Sequence, residues 1–180
     1  MCDYTKFKIL LSNEQINSKV AEIAELLKAK LQKYNEHDVI LVGLLKGVVF
    51  FFVDLVRALD NPYYNIELIK VSSYVDDKST GEVRIKSKLG NLDGKVIVLI
   101  DDIIDTGRTF QALTKYILER NPKELISVAF LDKPERRIVD FHPDFSGYKI
   151  PDEFVVGYGL DYNDKFRCLS DIRIYNNNQS

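Results

Sequence analysis

The sequence predicts an α/β fold in which a mostly parallel sheet is flanked by helices, with a small hood formed by the chain ends. Strand-like runs alternate with helix-like segments at the spacing of βαβ units, which favours a parallel sheet. Residues 96–100 are five consecutive apolar, β-forming residues. Such a run is typical of a strand buried on both faces.

Three helices are expected. Apolar residues recur at three- and four-residue spacing between residues 13 and 33, which predicts an amphipathic helix. Ser12 and Gln15 fit a capping box at its start. The two further helices cover residues 48–59, which end near Asn61-Pro62, and residues 109–120, which end at Asn121-Pro122.

Four further strands are expected. They are predicted at residues 39–42, 66–72, 125–131 and 154–158. Residues 73–86 form a long polar excursion that is partly β. Long loops inside compact domains are often functional, and the alternative here is an ordinary exposed hairpin. We expect one domain over residues 1–180, with a core at about 38–134 and a hood from about 1–37 and 135–180.

Composition narrows the possible partners. The chain of 180 residues is 46% hydrophobic and 29% charged, and its formal net charge is −2. That balance argues against nucleic acid as a partner. No apolar stretch reads as a signal region or a membrane span, so no membrane association is expected. Cys2 and Cys168 form no C-x-x-C pair, which favours free thiols and a cytoplasmic location.

The segment 96–110 carries the strongest chemical signal. Asp101 and Asp102 follow directly on the buried strand, and ligands of open α/β sheets bind at the carboxyl ends of strands. Two adjacent carboxylates there can hold a metal ion or accept hydrogen bonds from sugar hydroxyls.

The next residues, Asp105-Thr-Gly-Arg-Thr109, open a helix. Free backbone N–H groups at a helix start bind phosphate, and Gly107 allows close approach of the chain. The Thr106 and Thr109 hydroxyls add donors. Acceptors for hydroxyls beside donors for a phosphate suit a ribose 5-phosphate. For Asp105 and Thr106 the alternative is that they only cap the helix.

This segment resembles the phosphoribosyl pyrophosphate (PRPP) signature of the type I phosphoribosyltransferases, two acidic residues followed by Asp-Thr-Gly-x-Thr. The resemblance covers nearly the whole chain and is to the hypoxanthine and hypoxanthine-guanine branch. The family usually has Glu-Asp where this chain has Asp101-Asp102. The resemblance implies that 5′-phosphate and ribose are bound by Asp101, Asp102, Asp105, Thr106, Gly107, Arg108 and Thr109.

Gly43-Leu-Leu-Lys-Gly47 resembles that branch's pyrophosphate loop, in which the peptide before the lysine can be cis. The resemblance implies pyrophosphate contacts from Lys46, Gly47 and Arg167, and a mobile loop at Ser73 and Tyr74. Without the resemblance, the alternative is that Lys46 is a solvated charge in a turn.

The resemblance also implies a purine site. Its residues would be Ile103, Lys133, Phe154, Val155 and Asp161. Lys133 would donate to the purine 6-oxo group, and Phe154 would stack on the base. The alternatives are that Lys133 is a solvated surface charge and that Phe154 belongs to the core.

The implied activity is magnesium-dependent transfer of the 5-phosphoribosyl group from PRPP to hypoxanthine, with guanine as a second 6-oxopurine base. Asp105 would be the catalytic base, and Asp101, Asp102 and Asp161 would lie at the Mg²⁺ positions. Relatives are dimers or tetramers, so a homo-oligomer is expected. Two other readings are an enzyme of this fold with a xanthine or pyrimidine acceptor, and a PRPP-sensing regulator without activity.

Overall fold

The computed structural model describes residues 4–73, 83–85 and 89–176. In chain order its elements are β1 (Ile9–Leu11), α1 (Asn13–Leu31), β2 (Val39–Leu45), α2 (Val49–Leu59), β3 (Asn65–Ser73), β4 (Val83–Ile85), β5 (Val96–Ile104), α3 (Arg108–Leu118), β6 (Glu124–Asp132), β7 (Phe145–Lys149), β8 (Val155–Val156) and β9 (Ile172–Ile174). Short 3₁₀ helices lie at Tyr4–Lys6, Glu36–Asp38 and Pro134–Arg136.

The large sheet has the strand order β4-β3-β2-β5-β6-β7. Five neighbouring strands run parallel to one another, namely β3, β2, β5, β6 and β7. The edge strand β4 pairs with β3 in the antiparallel sense. The predicted mostly parallel α/β fold is therefore confirmed. Of the helices in the described part of the chain, none combines the length and the apolar character that a bilayer crossing needs.

Each face of the sheet has its own core because side chains alternate along a strand. Leu41, Val98 and Phe130 point to one core, which they share with α1 and α2. Ile40, Val42, Leu99 and Ala129 point to the other, which α3 covers with Phe110, Leu113 and Ile117. This two-sided burial explains why the central strands read as continuous apolar runs.

The start of α1 follows the predicted capping box. The Ser12 hydroxyl accepts from the Gln15 N–H at 3.3 Å, and the Gln15 side chain accepts from the Ser12 N–H at 2.9 Å. The apolar stripe of this helix, including Ile16, Ile23 and Leu27, is fully buried. The helix ends at Leu31, two residues before the predicted end.

A smaller antiparallel sheet joins the two chain ends in the order β1-β9-β8. Leu11, Val155 and Ile172 from its three strands enter the same core as α1 and α2. Two segments that were expected in the hood lie outside this small sheet. The helix α1 packs on α2, and β7 extends the large sheet beside β6.

Candidate active site

The carboxyl ends of β2, β5 and β6 lie side by side in the sheet, and a cleft of about 670 Å³ opens above them. Its opposite wall is formed by residues 152–167. The predicted site residues that line this cleft are Lys46, Gly47, Asp102, Ile103, Asp105, Lys133, Phe154, Val155, Asp161 and Arg167. Residues predicted from four separate segments are thus brought to one place.

A second cavity of about 90 Å³ lies at the start of α3. Its lining includes the predicted residues Asp101, Ile103, Asp105, Thr106, Gly107 and Thr109. Ile103 and Asp105 line both cavities, so the two spaces adjoin at these side chains. Arg108, also predicted here, is exposed and is not part of either lining.

The helix α3 begins without a side-chain cap. Its N-cap is Gly107 at φ 83°, and among the described residues no side chain accepts a hydrogen bond at that cap. A Cβ at Gly107 would lie 2.8 Å from Val139 Cγ2 and 2.9 Å from Arg137 Cδ, so both the conformation and the space require glycine. The alternative that Asp105 and Thr106 cap the helix is therefore wrong. The first turn of α3 borders the smaller cavity, where the free N–H groups of a helix start can bind an anion.

Asp101 and Asp102 belong to β5, which runs four residues past the predicted end at residue 100. The ladder continues because Asp101 pairs with Ala129 and Ile103 with Leu131 on β6. The Asp102 N–H donates to Asp101 Oδ1 at 3.0 Å, and the Ile103 N–H donates to Asp102 Oδ1 at 3.0 Å. Burial raises the pKa of both carboxyls, and the neighbouring Asp102 charge raises the pKa of Asp101 further.

The turn after β2 packs closely against this acidic pair. The peptide between Leu45 and Lys46 is cis, as the resemblance allowed. A Cβ at Gly47 would lie 1.9 Å from Asp102 Oδ2. Gly159 lies on the other side at φ 98°, and its Cβ would lie 1.9 Å from the Gly47 carbonyl oxygen. Glycine at both positions lets the turn lie directly between the acidic strand end and the segment around residue 159.

Lys46 and Arg167 meet at a carboxylate that sequence reasoning did not select. Asp164 Oδ1 lies 2.9 Å from Lys46 Nζ and 3.3 Å from Arg167 Nη2. Arg167 also contacts Asp161 Oδ1 at 2.7 Å and donates to the Gly159 carbonyl oxygen at 2.6 Å. The hydrogen bonds from Lys46 and then Arg167 lower the pKa of Asp164.

Asp105 is held by a second unselected residue. Arg136 Nε lies 2.5 Å from Asp105 Oδ1, and Arg136 Nη1 lies 3.0 Å from Asp152 Oδ1. These carboxylates raise the pKa of Arg136, with the Asp152 hydrogen bond as the largest cause. Arg136 thus links the strand end at β6 to the opposite wall. The sequence offered one signal, a dibasic Arg136-Arg137 pair just after a strand.

The neighbouring Arg137 has a different task. It forms a buried ion pair with Asp132 at the end of β6, and its Nη1 donates to the Asp105 carbonyl oxygen at 2.6 Å. This bond ties the backbone of Asp105 to the strand beside it. The position of the Asp105 carboxylate is therefore set by β6 as well as by β5.

Lys133 and Phe154 differ from the alternatives weighed for them. Lys133 is only 6% exposed, so it is not a solvated surface charge. Its Nζ donates to the Glu153 carbonyl oxygen at 2.6 Å. Phe154 is 52% exposed and is therefore not core. Its ring meets Tyr162 edge-on with centroids 5.8 Å apart, and Phe154 lines the cleft together with the buried Val155.

Two predicted features are only partly described. Ser73 is the last residue of β3, while Tyr74 and residues 75–82 of the polar excursion lie outside the described residues. The part that follows, β4, pairs back on β3. Within the described ranges, no three His, Cys, Asp or Glu side chains converge as a metal site made by protein alone.

A parallel sheet with an acidic strand end, an uncapped helix start and a cationic turn beside them defines a class of phosphoribosyl-handling enzymes. The chain belongs to the phosphoribosyltransferase family, since the model of the phosphoribosyl transferase domain matches residues 12–163.

The relatives that the chain matches belong to one branch of this family. The chain is 43% identical over 169 residues to a hypoxanthine-guanine phosphoribosyltransferase of Aquifex aeolicus, which covers 93% of each chain. Among solved structures, a hypoxanthine phosphoribosyltransferase of Staphylococcus aureus superposes with a TM-score of 0.88 at 37% identity, covering 96% of this chain and 94% of the other. The hypoxanthine phosphoribosyl transferase of Trypanosoma cruzi gives a TM-score of 0.88 at 35% identity, covering 95% and 93%.

Proposed function

We propose that the protein is a purine salvage enzyme that transfers the 5-phosphoribosyl group of PRPP to hypoxanthine and to guanine, forming IMP or GMP and pyrophosphate. The observation that carries this proposal is the pair of cavities that adjoin at Asp105. One suits a phosphate, and the other combines a buried lysine with an exposed aromatic ring.

The smaller cavity suits the 5′-phosphate. The first-turn N–H groups of α3 and the hydroxyls of Thr106 and Thr109 supply donors there. Asp101 and Asp102 are assigned to the ribose hydroxyls, which donate to carboxylates. Arg108 is exposed, so its contribution to the phosphate is a long-range charge.

Lys46, Gly47 and Arg167 are assigned to pyrophosphate. The side chains of Lys46 and Arg167 line the large cleft and lie close to one oxygen of the Asp164 carboxylate, so their charges converge on one point. Cations placed at the leaving group offset the negative charge that develops there.

The base fits between Phe154 and Ile103, beside Val155 and Asp161. Lys133 supplies a donor to the purine 6-oxo group, and its ammonium is already desolvated. A lysine ammonium carries donors only, so it pairs with an oxo group and not with an amino group.

The chemistry follows from these placements. The bond from the ribose C1′ to the pyrophosphate oxygen breaks, and positive charge develops on the sugar. The purine N9 forms the new bond to C1′, while Asp105 removes the proton from N7 as general base. Arg136 contacts Oδ1 of the Asp105 carboxylate, which leaves Oδ2 as the oxygen that accepts the proton.

Magnesium fits the acidic residues present. Mg²⁺ prefers one or two carboxylates together with substrate phosphates over a cage made by protein. Asp101 and Asp102 at the strand end and Asp161 across the cleft supply such oxygens, and the ion would neutralise the charge of the pyrophosphate.

A mobile loop that includes Ser73 and Tyr74 stays a prediction. Its proposed action is to cover the cleft and keep water from the reacting sugar. The cytoplasmic location also stays a prediction, based on cysteine usage, and Cys168 is a free and exposed thiol.

A homo-oligomer is supported by an apolar face, defined by the exposed side chains of Val49, Phe50 and Val53 on α2 with Ile66 and Leu68 on β3. The two elements adjoin, since a Cβ at Gly43 would contact both Phe52 and Leu68. Apolar patches of this kind mark protein interfaces.

The test is a base panel. The protein is mixed with PRPP and magnesium, and pyrophosphate release is followed with hypoxanthine, guanine, xanthine, adenine or uracil as acceptor. We expect release with hypoxanthine and guanine. Release only with xanthine or with uracil would favour a different acceptor on the same fold. No release with any base, together with tight PRPP binding, would favour a PRPP-sensing regulator.

A further inference from the structure

The two cations assigned to pyrophosphate are already occupied by the protein itself. The Asp164 carboxylate oxygen Oδ1 contacts both Lys46 Nζ at 2.9 Å and Arg167 Nη2 at 3.3 Å. Lys46 lies 118 residues from Asp164 in the sequence, so this contact depends on the fold. An anionic oxygen therefore lies where an oxygen of pyrophosphate would pair with the same two side chains.

The local backbone directs this carboxylate toward the cations. Asn163 and Asp164 have φ values of 52° and 58°, a region that residues other than glycine rarely adopt and that Asn and Asp tolerate best. The Asp164 N–H donates to Asp161 Oδ2 at 2.8 Å, which fixes the turn. The carboxylate is thus presented by an ordered turn, in contrast to a side chain that meets a cation by chance.

We propose that Asp164 is an internal competitor of pyrophosphate, and that it sets the affinity of the leaving-group site. This inference rests on the proposed function of Lys46 and Arg167. In the absence of pyrophosphate the carboxylate keeps the two cations together, and it withdraws when pyrophosphate binds. Pyrophosphate carries more negative charge than one carboxylate and so displaces it.

Exposure makes the exchange inexpensive. The side chains of Lys46 and Asp164 are 57% and 70% exposed. Ion pairs this exposed contribute little to stability, because water replaces the partner that is lost. Displacing Asp164 therefore costs little folding stability. Its main effect is to lower the affinity for pyrophosphate, which speeds release of this product.

The test compares pyrophosphate binding in the wild type, in a variant that removes the Asp164 charge, and in control variants. Asp164→Asn removes the charge, keeps the side-chain shape and suits the positive φ. Calorimetric titration with inorganic pyrophosphate at fixed magnesium should show about three- to tenfold tighter binding in this variant, the size expected when exposed ion pairs no longer compete. Inhibition of the forward reaction by pyrophosphate should strengthen by the same factor.

Two further variants separate competition from a structural role. Asp164→Glu keeps the charge and should bind pyrophosphate about as weakly as the wild type. Glu25→Gln makes the same charge change on an exposed position of α1 and should leave the affinity unchanged. The gain in Asp164→Asn should shrink at high salt, since it arises between exposed charges.

Each contrary result has a separate meaning. If the wild type binds pyrophosphate and Asp164→Asn binds it equally or more weakly, the competitor role of Asp164 is overturned while the proposed function stands. If the wild type does not bind pyrophosphate at all, the roles of Lys46 and Arg167 fail, and this inference fails with them.

Discussion

Asp105 shows how one side chain can be positioned by three segments. Asp105 directly follows β5, and Arg137, which pairs with Asp132 at the end of β6, donates to its carbonyl oxygen. Arg136 of the adjoining 3₁₀ helix contacts its carboxylate. A general base must lie within hydrogen-bond reach of the proton that it removes. Asp105 lines both cavities, so the proposed base would lie between the phosphate site and the purine site.

We expect Asp105→Asn to lower kcat by about 10²–10⁴-fold, the usual cost of losing a general base. PRPP binding should be largely retained, because the amide keeps the size of the carboxyl group. Steady-state kinetics with hypoxanthine and calorimetry with PRPP measure the two effects. Asp152→Asn is the matched control, since it removes the other carboxylate bound by Arg136. A kcat near that of the wild type in Asp105→Asn contradicts the base assignment.

Lys133 should decide which purines are accepted. Its buried ammonium would face the 6-amino group of adenine donor to donor, which leaves polar groups unpaired on both sides. Sites built to bond a particular group reject an analogue lacking it by about 10⁴–10⁵-fold. We therefore expect kcat/KM for hypoxanthine to exceed that for adenine by at least about 10³-fold.

In Lys133→Met this gap should narrow, chiefly through loss of hypoxanthine activity. The measurement is kcat/KM with both bases for the two proteins. Equal efficiency of the wild type on hypoxanthine and adenine would disprove the 6-oxopurine assignment and leave the phosphoribosyl chemistry intact.

Single residues were predictable where a local motif carried them. Asp105, Thr106 and Gly107 follow from the turn after one strand, without knowledge of the rest of the fold. Arg136 and Asp164 were missed because their importance lies in ion pairs with residues from other segments. A charged side chain in a polar segment looks the same in sequence whether it faces solvent or a cleft.

Among the elements, β5 combines two requirements that conflict. Its apolar residues are fully buried between the two cores, and its C-terminal part carries Asp101 and Asp102 at consecutive positions. Both carboxyls have a raised pKa, so the charged pair lowers the stability of the folded state at neutral pH. The strand end is thus suited to binding at the expense of stability.

Replacing Asp101 and Asp102 together by Asn should raise the Tm of the ligand-free protein at neutral pH, because the cost of burying two charges is removed. The rise should be about 2–4 °C for each kcal/mol of that cost. The pKa values of both carboxyls are higher in the folded state than in the unfolded state. The folded wild type is therefore most stable when both are protonated, and its free energy of unfolding falls as pH rises through the raised pKa values. The variant lacks that part of the pH dependence. Calorimetric scans at several pH values measure both effects.

The same variant should bind PRPP more weakly, with purine binding less affected, because the ribose hydroxyls lose charged acceptors. Asp140→Asn, which neutralises a fully exposed carboxylate, serves as the control and should change neither property. Unchanged PRPP affinity in the double variant would mean that the acidic pair does not contact the sugar.

Elements were predictable in proportion to the strength of their pattern. The predicted helices and central strands are all present, with ends that differ by a few residues. The strands β1, β7 and β9 were missed, since each is short and mixed in character. In β7 the glycine at position 147 looks like a strand breaker, but its missing Cβ lets the chain approach the Phe130 carbonyl oxygen, which lies 2.4 Å from that point.

At the scale of the whole molecule, the apolar face on α2 and β3 remains to be accounted for. Val53 is one of its residues and is 46% exposed. Large exposed apolar patches are uncommon on monomers and are usually covered by a partner. A second copy of the chain is the partner that the expected dimer or tetramer would provide.

Sedimentation of the wild type should therefore show a dimer or a larger assembly. Val53→Glu places a charge in the face and should shift the protein toward monomer, because a buried unpaired charge is costly. Leu118→Glu, on the exposed end of α3, makes the same kind of change elsewhere and should leave the assembly intact. A wild-type protein that sediments as a monomer at micromolar concentration rules out this face as a stable interface.

The contact between Gly47, Gly159 and Asp102 limits how this family member can change over generations. A methyl group at either glycine would overlap its neighbour, at 1.9 Å from an oxygen in each case. At Gly159 that oxygen belongs to the backbone, which no substitution can remove, and the φ of 98° independently disfavours other residues. A second mutation therefore has no way to rescue the first. In a library sampling every amino acid, position 159 should keep glycine alone, while position 47 should vary only where the Asp102 side chain has moved or has been replaced.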